Sequence, residues 1–220
     1  MSTQTYQTEY RLDILNIQNF ALYVYFFSII FESFDLFGLG SVSFFSGIFY
    51  VSVITPSIIN LININKNIYF LWPIVVFTIY LSLVSLVNIN SFSSRIVDFQ
   101  MILNLCIFFI IINHVKKDNK VIEKAFCAFF YSAFIGSVML ILGIGTEISD
   151  EGLRPGRLMF YGSGPNELGI KLASALAIGS VFIFQNKFRY SQIHKIFLLL
   201  CLPIIFYAIL QTGSRTAISV

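Results

Sequence analysis

Residues 195–212 read KIFLLLCLPIIFYAILQT, a single charge at the first position followed by an almost unbroken apolar run. A helix needs about 20 apolar residues to cover roughly 30 Å of bilayer hydrocarbon, and this run is long enough. Working outward, similar runs lie at 166–185, 121–143, 96–113, 68–87, 41–62 and 14–31, each bounded by polar or charged clusters. The pattern predicts an all-α fold, a polytopic transmembrane helix bundle of about seven spans plus the start of an eighth at Ala217–Val220. It divides the chain into a cytoplasmic segment (1–13), transmembrane helices 1–5 (14–145), an outer loop (146–165) and helices 6, 7 and the opening of 8 (166–220).

Composition agrees. Of 220 residues, 57% are apolar, 11% are charged and 25 are Phe. A soluble globular domain carries about 25% charge, so this chain has too little to solvate a surface. That excludes a water-soluble enzyme, a nucleic-acid binder and a disordered tail. Cys106, Cys127 and Cys201 fall within apolar runs and read as reduced packing residues; their spacing suggests no metal. Met1–Asp13 is polar and lacks the basic start and apolar core of a cleavable signal peptide, so the first helix is expected to stay as an anchor. Pro73 falls in a first helical turn, where its missing N–H costs least. Pro56 and Pro203 lie deeper, where kinks are tolerated if neighbours satisfy the backbone.

Lys and Arg set the orientation. With the N-terminus cytoplasmic, Arg11, Lys66, Lys116, Lys117, Lys120, Lys124, Lys187, Arg189 and Lys195 fall inside. Only Arg95, Arg154, Arg157 and Arg215 fall outside, all of them Arg, while Lys171 lies within a helix. The longest outer connection, TEISDEGLRPGRLMFYGSGP (146–165), is rich in Gly and Pro and predicts a shaped, non-helical backbone. Loops of that kind are often functional.

Candidate chemistry gathers around this loop. Gly164-Pro165-Asn166-Glu167 is a helix-start signal, and its free N–H groups offer an anion site. The same residues also serve simply to begin a span. Glu167 and Lys171, four apart, can pair on one face, either as a structural salt bridge or within an outward-facing cavity. Gly169, Ala173 and Ala177 form a small-residue stripe that reads as close helix packing. Arg154 and Arg157 flank Pro155-Gly156; a guanidinium fork holds phosphate or carboxylate bidentately, although taken singly each is better explained by a loop ion pair with Asp150 or Glu151. Arg215, in Gln211-Thr212-Gly213-Ser214-Arg215, closes the seventh span and can hold a ligand or snorkel to head groups. Arg95 with Asp98 reads as a boundary ion pair, Glu32 and Asp35 as the exit of the first helix, and His114 and His194 as solvated inner-side residues. No acidic or basic residue falls clearly at a helix midpoint, which argues against a proton- or sodium-coupled pump.

An Arg-bearing loop, then Gly-Pro-Asn-Glu-Leu-Gly (164–169), a small-residue helix, and a span ending in Thr-Gly-Ser-Arg-Thr-Ala (212–217) follow in that order. Over Arg154–Ser219 this resembles the O-antigen ligase/polymerase family of bacterial inner-membrane proteins, the polymerase branch more than the ligase branch. The resemblance implies a multi-pass inner-membrane glycosyltransferase, with its N-terminus cytoplasmic. It would work at the periplasmic face on an undecaprenyl-diphosphate-linked glycan, without metal or cofactor. A polymerase joins repeat units, while a ligase transfers the chain to a lipopolysaccharide core. Membrane lipids and a chain-length regulator are the further partners implied; nucleic acid is not one. Arg154, Arg157 and Arg215 would hold the departing diphosphate, Asn166 would help shape its site, and Glu167 would be a candidate base. Members of the family are longer, with a second outer loop and further helices. The chain stops inside what reads as an eighth span, so we expect a piece of a larger protein that is inactive alone. A flippase or other carrier of lipid-linked sugars is an alternative outside the enzyme class, and a non-enzymatic membrane subunit, which would leave the three outer arginines without purpose, is another.

Overall fold

The computed structural model describes residues 3–35, 41–58, 76, 80, 106–115, 119–149, 157–161, 163–184 and 192–213. These are mostly helical. In chain order they form α1 (Thr3–Ser28), a 3-10 turn (Ile29–Phe31), α2 (Val42–Ile58), α3 (Asn119–Ile141), strands β1 (Thr146–Ser149) and β2 (Arg157–Phe160), α4 (Pro165–Phe184) and α5 (Gln192–Thr212). Two compact units result. One comprises Met1–Tyr50 with Lys120–Val220, the other Val51–Asn119. The second includes the end of α2 and a short helix, Cys106–Val115, in which Ile107 and His114 are buried.

Three helices of the first unit, Lys120–Ile141, Pro165–Phe184 and Gln192–Thr212, are long and apolar enough to cross a membrane. The expected span at 14–31 is helical, but its apolar part, Leu15–Phe31, is shorter than a full crossing, as is Val42–Thr55 in α2. The polar lead-in TQTYQTEYRLD makes α1 longer than its apolar part. Of the two other expected spans, 68–87 lies outside the described residues apart from Val76 and Tyr80, and 96–113 is described only from Cys106. Pro73, Arg95 and Asp98 also lie outside them. Helix α5 continues through Pro203.

Apolar helices gain little by leaving lipid for one another, so close packing and interhelical hydrogen bonds must hold them. Both are present. The Ser28 hydroxyl on α1 meets Ser46 on α2 at 2.5 Å, and Ser132 of α3 donates to the carbonyl of Phe27. Gly136 of α3 lets the 3-10 turn approach: a Cβ there would lie 2.8 Å from Ile30 Cγ2. Gly179 of α4 does the same for α3 and α5, since a Cβ there would overlap the Phe130 ring and sit 3.0 Å from Leu202 Cδ2. The predicted stripe is thus correct at Gly169 and Ala173, which are buried, but Ala177 is exposed, and the tight contact belongs to Gly179. Phe130, Phe160, Leu168, Leu172, Leu198, Cys201 and Ile205 fill the core between α3, α4, α5 and β2.

Side-chain pairs fix the helix directions. On α1 and α3, Phe26 meets Phe126 and Ile30 meets Gly136, so the two run parallel. Tyr131 meets His194 and Phe134 meets Phe197, so α5 runs parallel to α3 as well. Helix α4 starts beside β2 and reaches Phe130 only at Gly179, so it runs the opposite way. One end of the unit therefore collects the ends of α1, α3 and α5, the start of α4 and the hairpin.

Candidate functional site

That end is built by local stop and start signals. Helix α3 ends because Gly143 turns left-handed (φ 75°), which lets the Ile144 N–H donate to the Met139 carbonyl at 2.9 Å. Gly145 (φ 67°) then aims the chain into β1. The loop predicted as non-helical is an antiparallel hairpin in its described part, with Thr146 opposite Phe160 and Ser149 opposite Arg157. Helix α4 begins as its sequence reads: Gly164 accepts from the Leu168 N–H at 3.0 Å, Pro165 takes the first position and Glu167 lies in the first turn. Helix α5 ends at Thr212, where Gly213 turns left-handed (φ 59°).

Aromatic side chains seal the hairpin to the bundle. Tyr161 adopts a left-handed backbone (φ 48°), rare for a bulky residue. Its N–H donates to the Gly145 carbonyl at 2.8 Å, and its ring lies where a Cβ on Gly145 would be. Phe34 and Phe160 each meet that ring edge-on, at 4.6 and 4.7 Å between centroids. Only glycine at 145 permits this closure. Ser163, just before α4, is buried with its hydroxyl unpartnered.

Charge at this end converges on Lys171. Its ammonium donates to Glu167 Oε1 at 2.6 Å, one helical turn back, and to Glu32 Oε2 at 2.7 Å. The i,i+4 partner was legible in the sequence; Glu32, 139 residues away, was not. The lysine side chain is only 14% exposed, whereas Glu32 and Glu167 are 51% and 52% exposed. The cation is thus enclosed by the two anions, which keep an open side. The three groups sum to one net negative charge. Glu32 does more than close the first helix. It links the end of α1 to α4.

The other sequence-named residues are distributed as follows. Asn166 is exposed beside Glu167. Arg157 opens β2, three residues before the Phe160–Tyr161 closure. Arg154 and Arg215 lie outside the described residues, as do Asp150 and Glu151. At the opposite end of the unit are Lys120 and Lys124, which start α3, and Lys195, which starts α5. The histidines correct the sequence reading. His114 is buried within a helix, and His194 is half-buried in the first turn of α5, 3.3 Å from the Tyr131 hydroxyl. Neither is the solvated side chain that the sequence suggested. All three cysteines are free thiols. Among the described residues no group of three or more His, Cys, Asp or Glu side chains could hold a metal ion. No family model matches the chain, and no curated protein or solved structure matches it.

Proposed function

We propose that the chain belongs to a glycosyltransferase of the O-antigen polymerase type, acting on an undecaprenyl-diphosphate-linked glycan at the periplasmic face of a bacterial inner membrane. In this reading seven spans cross the bilayer, the N-terminus is cytoplasmic, and the hairpin end of the first unit faces the periplasm. One observation carries it. The separate segments on which the resemblance rests, the hairpin with Arg157, the Gly164–Gly169 helix start and the end of α5 that leads to Arg215, come to one end of the unit. Lys120, Lys124 and Lys195 sit at the other end, as the positive-inside rule requires of a cytoplasmic face.

The chemistry is charge stabilisation. As the glycosidic bond to the diphosphate breaks, negative charge grows on the departing phosphate oxygens, and fixed guanidinium groups stabilise it most where water is scarce. Arg154, Arg157 and Arg215 supply those groups. Asn166 and the first turn of α4 shape the site. Glu167 binds Lys171 through one oxygen and keeps the other for an acceptor hydroxyl. The charged groups of the described residues sit outside or toward the ends of the apolar parts of the helices, which favours this reading over a carrier whose polar pathway would cross the bundle.

Arg215→Lys in the intact protein tests it. A point charge cannot replace the planar fork, so long glycan chains should be lost at equal protein level. Near-normal chains in that variant refute the reading.

A further inference from the structure

We infer that the Glu32–Lys171–Glu167 triad is a positioning latch, holding the end of α1 against the start of α4 so that the site is assembled from segments 139 residues apart. The inference deepens the glycosyltransferase reading and rests on it.

Three observations carry it. First, Lys171 already donates to two carboxylates and is 14% exposed, so its charge is consumed within the protein and it is poorly placed to meet a phosphate. Second, the link joins two separate elements. Glu167 lies on the same helix as Lys171, whereas Glu32 belongs to the turn after α1, and its bond is the charged tie between them. Third, the latch lies among groups that the site needs. Glu167 is one residue from Asn166 in the first turn of α4, and Phe34, two residues after Glu32, abuts Tyr161 at the foot of β2. Moving Glu32 moves the aromatic closure, and with it the strand that Arg157 opens.

Exposed ion pairs contribute only about 0–1 kcal/mol each, so the latch adds little to stability. Geometry is its contribution. A misplacement of about 1 Å at a reacting centre can cost about 100-fold in rate. Lys171 and Glu32 are thus positioning residues, and they should act on turnover more than on donor binding.

The experiment compares Glu32→Gln, Lys171→Met and the exchange variant E32K/K171E in the intact protein. The exchange keeps one ammonium between two carboxylates but supplies it from the α1 side. Polymerisation is followed in membranes against the lipid-linked repeat unit extracted from the parent strain lacking this gene, together with melting in detergent. Each single variant should lower the maximal rate at least about tenfold, with the half-saturating donor concentration nearly unchanged. The exchange should restore most of the rate. Single variants that melt earlier but turn over normally would show a merely structural tie and overturn the proposal. An exchange variant as slow as Lys171→Met would show that Lys171 itself touches substrate, and overturns it too. Arg215→Lys, run in parallel, separates the two readings. Polymer lost there but normal in Glu32→Gln refutes the latch alone, while polymer normal in Arg215→Lys refutes the activity and the latch with it.

Discussion

Gly179→Ala sets two effects of similar size against each other. Alanine is preferred over glycine inside a helix by about 1 kcal/mol, which favours the variant. The new methyl group, however, would sit 3.0 Å from Leu202 Cδ2 and 2.8 Å from Phe130 Cδ2, and would overlap the far edge of that ring. Overpacking of this kind costs about 1–3 kcal/mol, so the net change is a loss of up to about 2 kcal/mol. Phe130→Ala removes the obstructing ring, at a cost of about 3–5 kcal/mol for the cavity. In that background Gly179→Ala should become stabilising by about 1 kcal/mol. The two substitutions are therefore coupled by about 1–3 kcal/mol, as expected for residues in contact. The assay is unfolding by sodium dodecyl sulfate in mixed micelles, read by circular dichroism on all four corners of the cycle. Ala177→Leu, on the exposed face of the same helix, serves as a control and should change stability by no more than about 0.5 kcal/mol. An equal effect of Gly179→Ala with and without the Phe130 ring would refute the packing described here.

Other substitutions test other joints. Gly145→Ala combines a left-handed backbone, about 1–2 kcal/mol, with a collision against the Tyr161 ring, about 1–3 kcal/mol. Gly143→Ala, where the nearest outside atom is Thr146 Oγ1 at 3.9 Å, should meet the backbone penalty alone. Hydrogen exchange of the Tyr161 amide should therefore accelerate far more in the first variant than in the second; equal rates would contradict the closure. Ser132→Ala removes the hydroxyl donated to the Phe27 carbonyl and should cost about 0.6 kcal/mol, at most about 1.7, in the same micelle assay. A reporter fused after Gly152 should be active in the periplasm and one after Lys117 in the cytoplasm. The reverse pattern would invert the topology and remove every outer-face role assigned here.

The features legible in the sequence were those written within a few residues of one another. The start of α4 follows from Gly164-Pro165 and an acid in the first turn, and the Glu167–Lys171 pair from a four-residue spacing. The non-helical stretch after α3 follows from its glycines. Partners distant along the chain left no such trace. Glu32 read as a helix exit because nothing near it announces a lysine 139 residues on. Spacing by four suggested that Ala177 continued the packed stripe from Gly169. The helix repeats every 3.6 residues, however, and the face had rotated so that Gly179 met the neighbours instead. The hairpin strands are four residues each, too short for alternation to declare itself. His194 stands among lysines and so read as solvated; its contact with Tyr131 depends on α3 and α5 running parallel, which only the fold reveals.

The separation between Glu32 and its lysine also has a consequence for biosynthesis. A ribosome adding about 5–20 residues per second needs about 7–28 s to travel the 139 positions between them. The carboxylate at the end of α1 therefore leaves the exit tunnel that long before its cation does. Glu32 is 51% exposed even in the finished fold, so its carboxylate stays solvated over that interval, and the tie from α1 to α4 forms only once Lys171 has emerged. Nascent chains arrested before Lys171 should therefore lack the tie between α1 and α4, and chains arrested after α4 has emerged should carry it.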